Sequence, residues 1–121
     1  MRFRPEQHLR RPGDFRTVRE QGRRIDCGAF TVWHFRHDKA PAASARPRVG
    51  VVASIASVGA AVQRNRAKRR LRELFRQHQD QIPAGSDLLL VARAAINRLD
   101  FTTLVQKFAA ACRQLTPPPR A

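Results

Sequence analysis

The residues best suited to chemistry lie in a dense basic run near the middle of the chain. Seven cationic side chains occur within thirteen positions, opposed by Glu73 alone: Arg64, Arg66, Lys68, Arg69, Arg70, Arg72 and Arg76. A solvated helix usually carries acidic partners at i, i+4 spacing, whereas this run places like charges there, each pair costing roughly a few tenths of a kcal/mol. Such a helix is expected to recover that energy against phosphate, with Asn65 as a polar donor and acceptor. The alternative is a solvated charged face without a ligand.

The charge of the whole chain favours the first of these interpretations. Its 121 residues include 24 Lys+Arg and 9 Asp+Glu, which gives a formal net charge of +15 and a pI near 11.9. Self-repulsion at such a charge destabilises the compact state, so a polyanionic partner is expected to relieve it. A basic surface that only confers solubility is the other interpretation.

A nuclease site carried by the protein itself is not predicted. Hydrolysis with two metal ions needs grouped carboxylates, and the acidic residues are scattered: Glu6, Asp14, Glu20, Asp26, Asp38, Glu73, Asp80, Asp87 and Asp100. His34 and His37 lie at i, i+3 near a strand end, so they tend to opposite faces. The sequence therefore predicts no catalytic residue and no metal bound by the protein alone.

The cysteines and the apolar runs bear on the compartment. Cys27 and Cys112 have no CxxC or His pairing at ligand spacing, which predicts reduced thiols, with Cys112 on an apolar helix face. Neither a signal peptide nor an apolar run of membrane-spanning length is found. We expect a cytoplasmic protein.

The elements that must position the basic run follow from hydrophobic periodicity. A first helix from Phe15 to about Gln21 is predicted, with Asp14 as N-cap and Gly22 as its stop. The basic helix runs from Gln63 to His78, burying Ala67, Leu71, Leu74, Phe75 and His78. A last helix follows Asp100 and buries Phe101, Leu104, Val105, Phe108, Cys112 and Leu115.

Three strands are predicted between and beside these helices. Residues 29–35 alternate, with Phe30, Val32 and His34 on one face and Thr31, Trp33 and Phe35 on the other. Residues 48–53 form a second strand that could pair with the first as a hairpin, and residues 87–93 form a buried third strand. The order predicts an α+β fold, an α/β sandwich with a small central sheet and three helices. We expect a flexible basic N-terminus at residues 1–12, one RNA-binding domain at 13–116 and a Pro-rich tail at 117–121.

At the basic run the sequence resembles a known family. The segment Val62-Gln63-Arg64-Asn65-Arg66-Ala67-Lys68-Arg69-Arg70-Leu71-Arg72-Glu73 is similar to the Arg-Asn-Arg signature helix of the bacterial ribonuclease P protein subunit. Phe15 to Gly22 resembles the first helix of the family, Arg48-Val49-Gly50 the strand before the signature, and Val58 to Val62 the approach to it. Asp87 to Arg93 resembles its acidic, apolar strand. Together these segments cover about residues 9–115 in the same order.

The resemblance implies a fold detail and a division of labour. The unit formed by residues 48–53, the basic helix and residues 87–93 is expected to have a left-handed βαβ crossover, although general rules favour the right-handed one. A catalytic RNA subunit cuts the leader from precursor tRNA, and the protein assists it. Magnesium is then expected mainly on the RNA, and no obligate protein partner is implied.

The resemblance also assigns residues to two RNA-contacting surfaces. The signature surface that contacts the catalytic RNA, extended by charge to Arg76, comprises Arg64, Asn65, Arg66, Lys68, Arg69, Arg72 and Arg76. A cleft between the first helix and the sheet receives the single-stranded leader and is assigned Phe15, Arg16, Arg19, Phe30 and Trp33. Aromatic faces there would stack bases with little regard to sequence, although Phe15 and Trp33 are also suited to plain core packing.

Two departures from the family pattern and two alternative functions remain open. Arg19 stands where the family commonly has a second aromatic residue, which replaces a stacking platform by a charge contact. Residues 54–57 carry no lysine where the family often has Ser-Lys-Lys. A non-catalytic RNA-binding module, such as a ribosomal protein or RNA chaperone, would share the same charge. A helix-turn-helix DNA-binding protein is disfavoured by the strands that flank the basic helix.

Overall fold

The computed structural model describes residues 12–36, 47–83 and 85–115. Its helices are α1 (Pro12–Gln21), α2 (Ile55–Val58), α3 (Ala61–Gln77) and α4 (Phe101–Leu115), and its strands are β1 (Arg23–Asp26), β2 (Phe30–Arg36), β3 (Arg48–Val52) and β4 (Ser86–Ala92). Short 3₁₀ helices occupy Gln79–Gln81 and Ala94–Asn97. The predicted α+β class is confirmed. The predicted N-terminal segment, apart from residue 12, and the Pro-rich tail lie outside the described residues.

The four strands form one mixed sheet in the order β1-β2-β4-β3. Strands β1 and β2 pair antiparallel, as do β2 and β4, whereas β3 pairs with β4 in parallel. The parallel pair is connected through α3, so the predicted βαβ unit is confirmed. Its left-handed crossover stays a prediction.

The predicted hairpin between β2 and β3 is wrong, because β4 lies between these strands. A ten-residue connection imposes no register by itself. Strand β4 is buried at six of its seven positions, and a strand this apolar stabilises the sheet most when it has a neighbour on both sides. Strand β4 therefore lies inside the sheet, between β2 and β3, and β3 is an edge strand.

Strand β1 is an element that the sequence did not predict. It has four residues, of which only Ile25 is buried, so it carries neither a period nor an apolar run. Its position depends on pairing with β2, where Arg24 lies opposite Trp33 and Ile25 opposite Val32. A tight turn follows in which Gly28 has a φ of 79° and donates its N–H to Asp26 Oδ1 at 2.9 Å.

The helices divide the two faces of the sheet between them. On one face, α3 and α4 cover the main core, which includes the fully buried Phe30, Phe75 and Phe108. On the other face, α1 covers a smaller cluster built on the buried Val18 and Leu89. The predicted alternation along β2 is confirmed, since Phe30 and Val32 belong to the main core, whereas Trp33 and Phe35 belong to the smaller cluster.

The predicted helix boundaries need two corrections. Helix α1 begins at Pro12, so Asp14 lies inside the helix and is not its N-cap; proline suits a first turn because its φ is already helical. The extra helix α2 spans one turn, which Ser54 caps by accepting the Ser57 N–H at 3.1 Å. The buried faces predicted for α3 and α4 are confirmed, except that Phe101 and Val105 are only half-buried.

Candidate nucleic-acid interface

Helix α3 turns its basic side away from the core. Ala67, Leu71, Leu74 and Phe75 are all fully buried against the sheet and α4. The opposite side of the helix is thereby held toward solvent, and it carries four exposed polar or cationic residues: Asn65, Arg66, Arg69 and Arg72. Lys68 is half-buried beside them. We call these five residues the exposed basic face.

Two arginines of the predicted run bind the protein itself. Arg64 Nε donates to the carbonyl oxygen of Ala53 at 2.9 Å, which ties the start of α3 to the end of β3. Arg70 donates from its two terminal nitrogens to the carbonyl oxygens of Ile96 and Leu99, both at 2.7 Å. Burial, with the nearby charge of Arg66, lowers the pKa of Arg70. Arg70 therefore anchors α3 to the segment that precedes α4.

Arg76, which the sequence assigned to the RNA surface, is held by the one acid of the run. Its Nε donates to Glu73 Oε2 at 2.9 Å, and a terminal nitrogen donates to Glu73 Oε1. Gln77 Nε2 adds a bond of 3.1 Å to the same carboxylate. Hydrogen bonding from Arg76 lowers the pKa of Glu73 to about 2, so the pair is ionised throughout the neutral range.

The start of α3 adds favourable electrostatics for an anion. Its N-cap is Ala60, which makes no side-chain capping bond, and its first turn contains no acid. Backbone N–H groups at a helix start are otherwise unpaired and carry partial positive charge. Arg66, which is exposed, lies close to this end. The N-terminal half of α3 therefore combines the partial positive charge of the helix start with the positive charge of exposed arginine side chains.

A second candidate surface lies where α1 crosses the sheet. Trp33 is half-buried, and the guanidinium carbons of Arg19 and Arg24 lie 5.8 Å and 6.0 Å from the centre of its indole ring. Phe15 and Phe35 are half-buried in the same cluster. Aromatic rings beside guanidinium groups suit a single-stranded nucleic acid, because bases stack and phosphates are neutralised.

The predicted cleft residues fall on this surface with one exception. Phe15 and Trp33 are brought together on the α1 side of the sheet, and Arg16 and Arg19 are exposed on α1. Phe30 is wrongly assigned: it is fully buried on the other face, with its ring 6.1 Å from that of Phe108. Its place in the alternation of β2, opposite in face to Trp33, already carried that signal.

Arg24 is a candidate that sequence reasoning missed. It lies on β1 directly across from Trp33, and because β1 was not predicted, nothing placed this arginine beside the indole. The ion pair of Arg48 with Asp87, with bonds of 2.8 Å and 2.7 Å, lies farther along the same sheet face as Trp33.

Other kinds of site find little support in the described part of the chain. Within residues 12–36, 47–83 and 85–115, no group of three or more His, Cys, Asp or Glu side chains could hold a metal ion. Cys27 is half-buried and Cys112 is buried, neither is in a disulfide, and burial raises the pKa of Cys27 to about 11 and of Cys112 to about 12. None of the helices described is both long and apolar enough to cross a membrane.

Comparison of the sequence with known proteins gives a consistent result. Residues 3–116 match the family model described as Ribonuclease P. The chain is 38% identical over 117 residues to the ribonuclease P protein component of Thermobifida fusca, covering 94% of this chain and 79% of that protein. It is 43% identical over 88 residues to the corresponding protein of Herpetosiphon aurantiacus, covering 73% of this chain and 67% of that one.

Solved structures with the same fold give a matching picture. The ribonuclease P protein from Thermotoga maritima superposes with a TM-score of 0.75 at 26% identity, covering 91% of this chain and 98% of that one. The protein from Staphylococcus aureus superposes with a TM-score of 0.75 at 22% identity, covering 89% of this chain and 94% of that one. The latter similarity concerns the fold alone.

Proposed function

Because the chain belongs to the ribonuclease P protein family, we propose that it uses two surfaces to serve an enzyme whose catalytic subunit is RNA. The exposed basic face of α3 binds that RNA. The surface between α1 and the sheet binds the single-stranded leader of precursor tRNA. The complex then removes the leader and leaves the mature 5′ end, which is a step of tRNA processing.

The observation that carries this proposal is the make-up of the exposed basic face. Asn65, Arg66, Arg69 and Arg72 are all exposed, and Glu73, the one acid of the run, is bound by Arg76 at the C-terminal end of this face. Each cation that meets a phosphate releases counterions, which supplies affinity without reading sequence. Such a face suits a structured RNA, because phosphates are presented all over its surface.

The aromatic cluster under α1 supports the leader assignment. The indole of Trp33 is half-buried on β2, a strand inside the sheet, and the guanidinium carbons of Arg19 and Arg24 lie over its ring at 5.8 Å and 6.0 Å from the centre. Stacking is worth roughly 1–3 kcal/mol per base and tolerates any base. An enzyme that processes leaders of many sequences needs that tolerance. Arg19, in the place of an aromatic residue, contributes positive charge at a distance of 5.8 Å from the centre of the Trp33 ring.

We assign the hydrolytic step to the RNA subunit. Among the described residues the carboxylates do not cluster, so they do not fit a site for catalytic magnesium, and the cationic surface repels divalent ions. Magnesium would then be bound mainly by RNA phosphates. The contribution of the protein is to hold the leader and to reduce repulsion between two polyanions. We also propose that the protein acts in the cytoplasm.

Reconstitution tests the proposal directly. A bacterial ribonuclease P RNA, a precursor tRNA and the purified protein are combined at low magnesium, and release of the leader is followed on a gel. The protein should increase the rate of accurate cleavage. Copurification of ribosomal RNA, with no stimulation of cleavage, would instead favour a ribosomal protein or RNA chaperone.

A matched pair of variants locates the RNA-binding surface. Arg69→Ala should weaken binding to the catalytic RNA and reduce the slope of log K against log salt by about 0.9, because one phosphate contact is lost. Arg113→Ala removes the same charge from an exposed position on α4 and should leave the slope nearly unchanged. Equal effects of both variants would mean that only net charge matters and that α3 is not the contact surface.

A further inference from the structure

The exposed basic face ends before Arg76, the last cation of the run. Arg76 lies on the same side of α3 as Arg69 and Arg72, one turn beyond Arg72. By residue type it would extend the exposed basic face toward the C-terminal end of the helix. The structure gives it a different neighbour, because Glu73 lies three residues before it and binds its guanidinium with two hydrogen bonds.

We propose that Glu73 is a specificity-determining residue that ends the exposed basic face by holding Arg76 away from RNA phosphates. The proposal rests on the function proposed above and adds a limit to the same surface. The RNA-binding part of α3 is then restricted to its first three turns. Generic polyanions that could use a longer row of charges gain less from this helix.

The geometry of the pair supports this role. The two carboxylate oxygens accept from Nε and from one terminal nitrogen of Arg76, so the Nε side of the guanidinium faces the carboxylate. A two-point phosphate contact from that side is blocked, and a phosphate at the remaining edge is repelled by the nearby negative charge of Glu73. Gln77 donates at 3.1 Å to Glu73 Oε1, the oxygen that also accepts from the terminal nitrogen of Arg76, and so helps to hold the carboxylate. The Arg76 side chain is 32% exposed and that of Glu73 is 36% exposed. The pair is therefore within reach of RNA, whose phosphates must compete with Glu73 for Arg76.

The ionisation of Glu73 keeps the restriction constant under physiological conditions. Hydrogen bonding from Arg76 lowers the pKa of Glu73 to about 2. The carboxylate therefore keeps its charge over the whole pH range in which RNA is handled. Only substitution, and not a change in pH, should release Arg76.

Glu73→Gln tests the proposal because it removes the charge and keeps the shape. The probes are a bacterial ribonuclease P RNA and a fully duplex RNA of similar length, each titrated at several salt concentrations. If Arg76 is released to one phosphate, the salt slope for the duplex should increase by about 0.9, which corresponds to roughly fivefold tighter binding near 0.15 M salt. Thermal unfolding of each variant verifies that the fold is kept.

Two control variants separate the alternatives. Asp80→Asn makes the same charge change at an exposed acid beyond the end of α3 and should alter the slope much less. The double variant Glu73→Gln with Arg76→Ala should return to the wild-type slope. If the salt slope of the double variant increases as much as that of Glu73→Gln alone, Glu73 acts by repelling RNA phosphates and not by holding Arg76. That result would overturn the proposal.

The proposal and the function on which it rests fail in different ways. Arg69→Ala reports on whether α3 binds RNA at all. If that variant weakens binding while Glu73→Gln behaves like Asp80→Asn, only the role of Glu73 is refuted. If Arg69→Ala leaves RNA binding unchanged, the proposed surface itself is wrong.

Discussion

At the scale of single residues, neighbouring arginines of α3 differ in what they bind. Arg69 is exposed on the basic face, whereas Arg70 donates two hydrogen bonds of 2.7 Å to backbone carbonyl oxygens of the segment before α4. Their residue type does not distinguish them. The difference comes from their angular position on the helix, because Arg70 lies closer to the buried side and Arg69 lies opposite it.

This difference predicts opposite effects of one substitution. Arg70→Met should lower the free energy of unfolding by about 1–3 kcal/mol, because two carbonyl groups lose a charged donor. Arg69→Met should leave stability nearly unchanged and weaken binding to the catalytic RNA. Urea titration measures the first quantity and filter binding the second. Similar unfolding curves for the two variants would contradict the anchoring role of Arg70.

Phe30 and Trp33 provide a second contrast, on the two faces of β2. Phe30→Ala should cost about 3–5 kcal/mol of stability, because it empties the centre of the main core. Trp33→Ala should cost less stability and weaken leader binding by roughly 1–3 kcal/mol if a base stacks on the indole. A single-stranded oligonucleotide with the leader sequence, titrated against each folded variant, measures the affinity.

The composition of the chain makes the wild-type titration simple to follow. Trp33 is the single tryptophan, and the sequence has no tyrosine, so intrinsic fluorescence reports on this site alone. Binding of the oligonucleotide should quench or shift that emission. Unchanged leader affinity in Trp33→Ala, or unfolding as severe as in Phe30→Ala, would assign Trp33 to the core.

At the scale of elements, the joint between α1 and the sheet depends on Gly22. A Cβ atom built there would lie 2.2 Å from the carbonyl oxygen of Val18 and 2.6 Å from that of His34. Both contacts are with backbone, which cannot move aside as a side chain does. The end of α1 and the beginning of β1 are therefore packed against β2 through this glycine.

Gly22→Ala should destabilise the protein, by about 1–3 kcal/mol as for other overpacked sites. Because α1 and β1 both adjoin Trp33, the proposed leader-binding surface around it should be disturbed as well. Circular dichroism melting and the Trp33 fluorescence maximum measure the two effects. Gly13→Ala is the matched control, since nothing lies within 4 Å of a Cβ built at that position.

The far end of β2 predicts a dependence of stability on pH. His34 Nε2 lies 2.8 Å from Ser86 Oγ. Burial lowers the pKa of His34, with help from Arg36 and Arg23, and Asp87 opposes the shift. The unfolded chain therefore binds a proton more readily, near its ordinary pKa of 6.5, so stability is complete above that pH and falls below it.

Unfolding at pH 7.5 and at pH 5.5 measures this effect. The midpoint in urea should decrease at the lower pH in the wild-type protein. His34→Gln keeps a hydrogen-bonding partner for Ser86 but cannot titrate, and it should lose most of that decrease. A decrease of the same size in the variant would assign the pH dependence to other groups.

The same elements show what a sequence can predict about this fold. Helices α3 and α4 and strands β2 and β4 carry a strong period or a long apolar run, and each was predicted to within a few residues. Strand β1 has neither a period nor an apolar run, and its position depends on pairing with β2. Arg24 was missed because β1 was not predicted. The order of the strands depends on which strand gains most from a neighbour on both sides, and local sequence patterns do not encode that comparison.

At the scale of the whole molecule, the sequence predicts which surface is basic but not which of its cations bind other parts of the protein. Net charge of +15 predicts a polyanionic partner, and the helical period predicts which side of α3 faces outward. Neither predicts that Arg64, Arg70 and Arg76 have protein partners, because those depend on carbonyl groups and a carboxylate that folding brings close. Of the seven cations in the run, four lie on the exposed basic face: Arg66, Lys68, Arg69 and Arg72.

The overall charge leads to a last prediction about how the protein assists the RNA. In the proposed function its cations screen repulsion between the catalytic RNA and the precursor tRNA, and concentrated magnesium or salt does the same. With magnesium alone, the purified protein should leave precursor tRNA intact. With the RNA subunit present, the acceleration due to the protein should be largest at low salt and decline as magnesium or salt increases. Accurate leader removal by the protein alone, or an acceleration independent of salt, would contradict this division of labour.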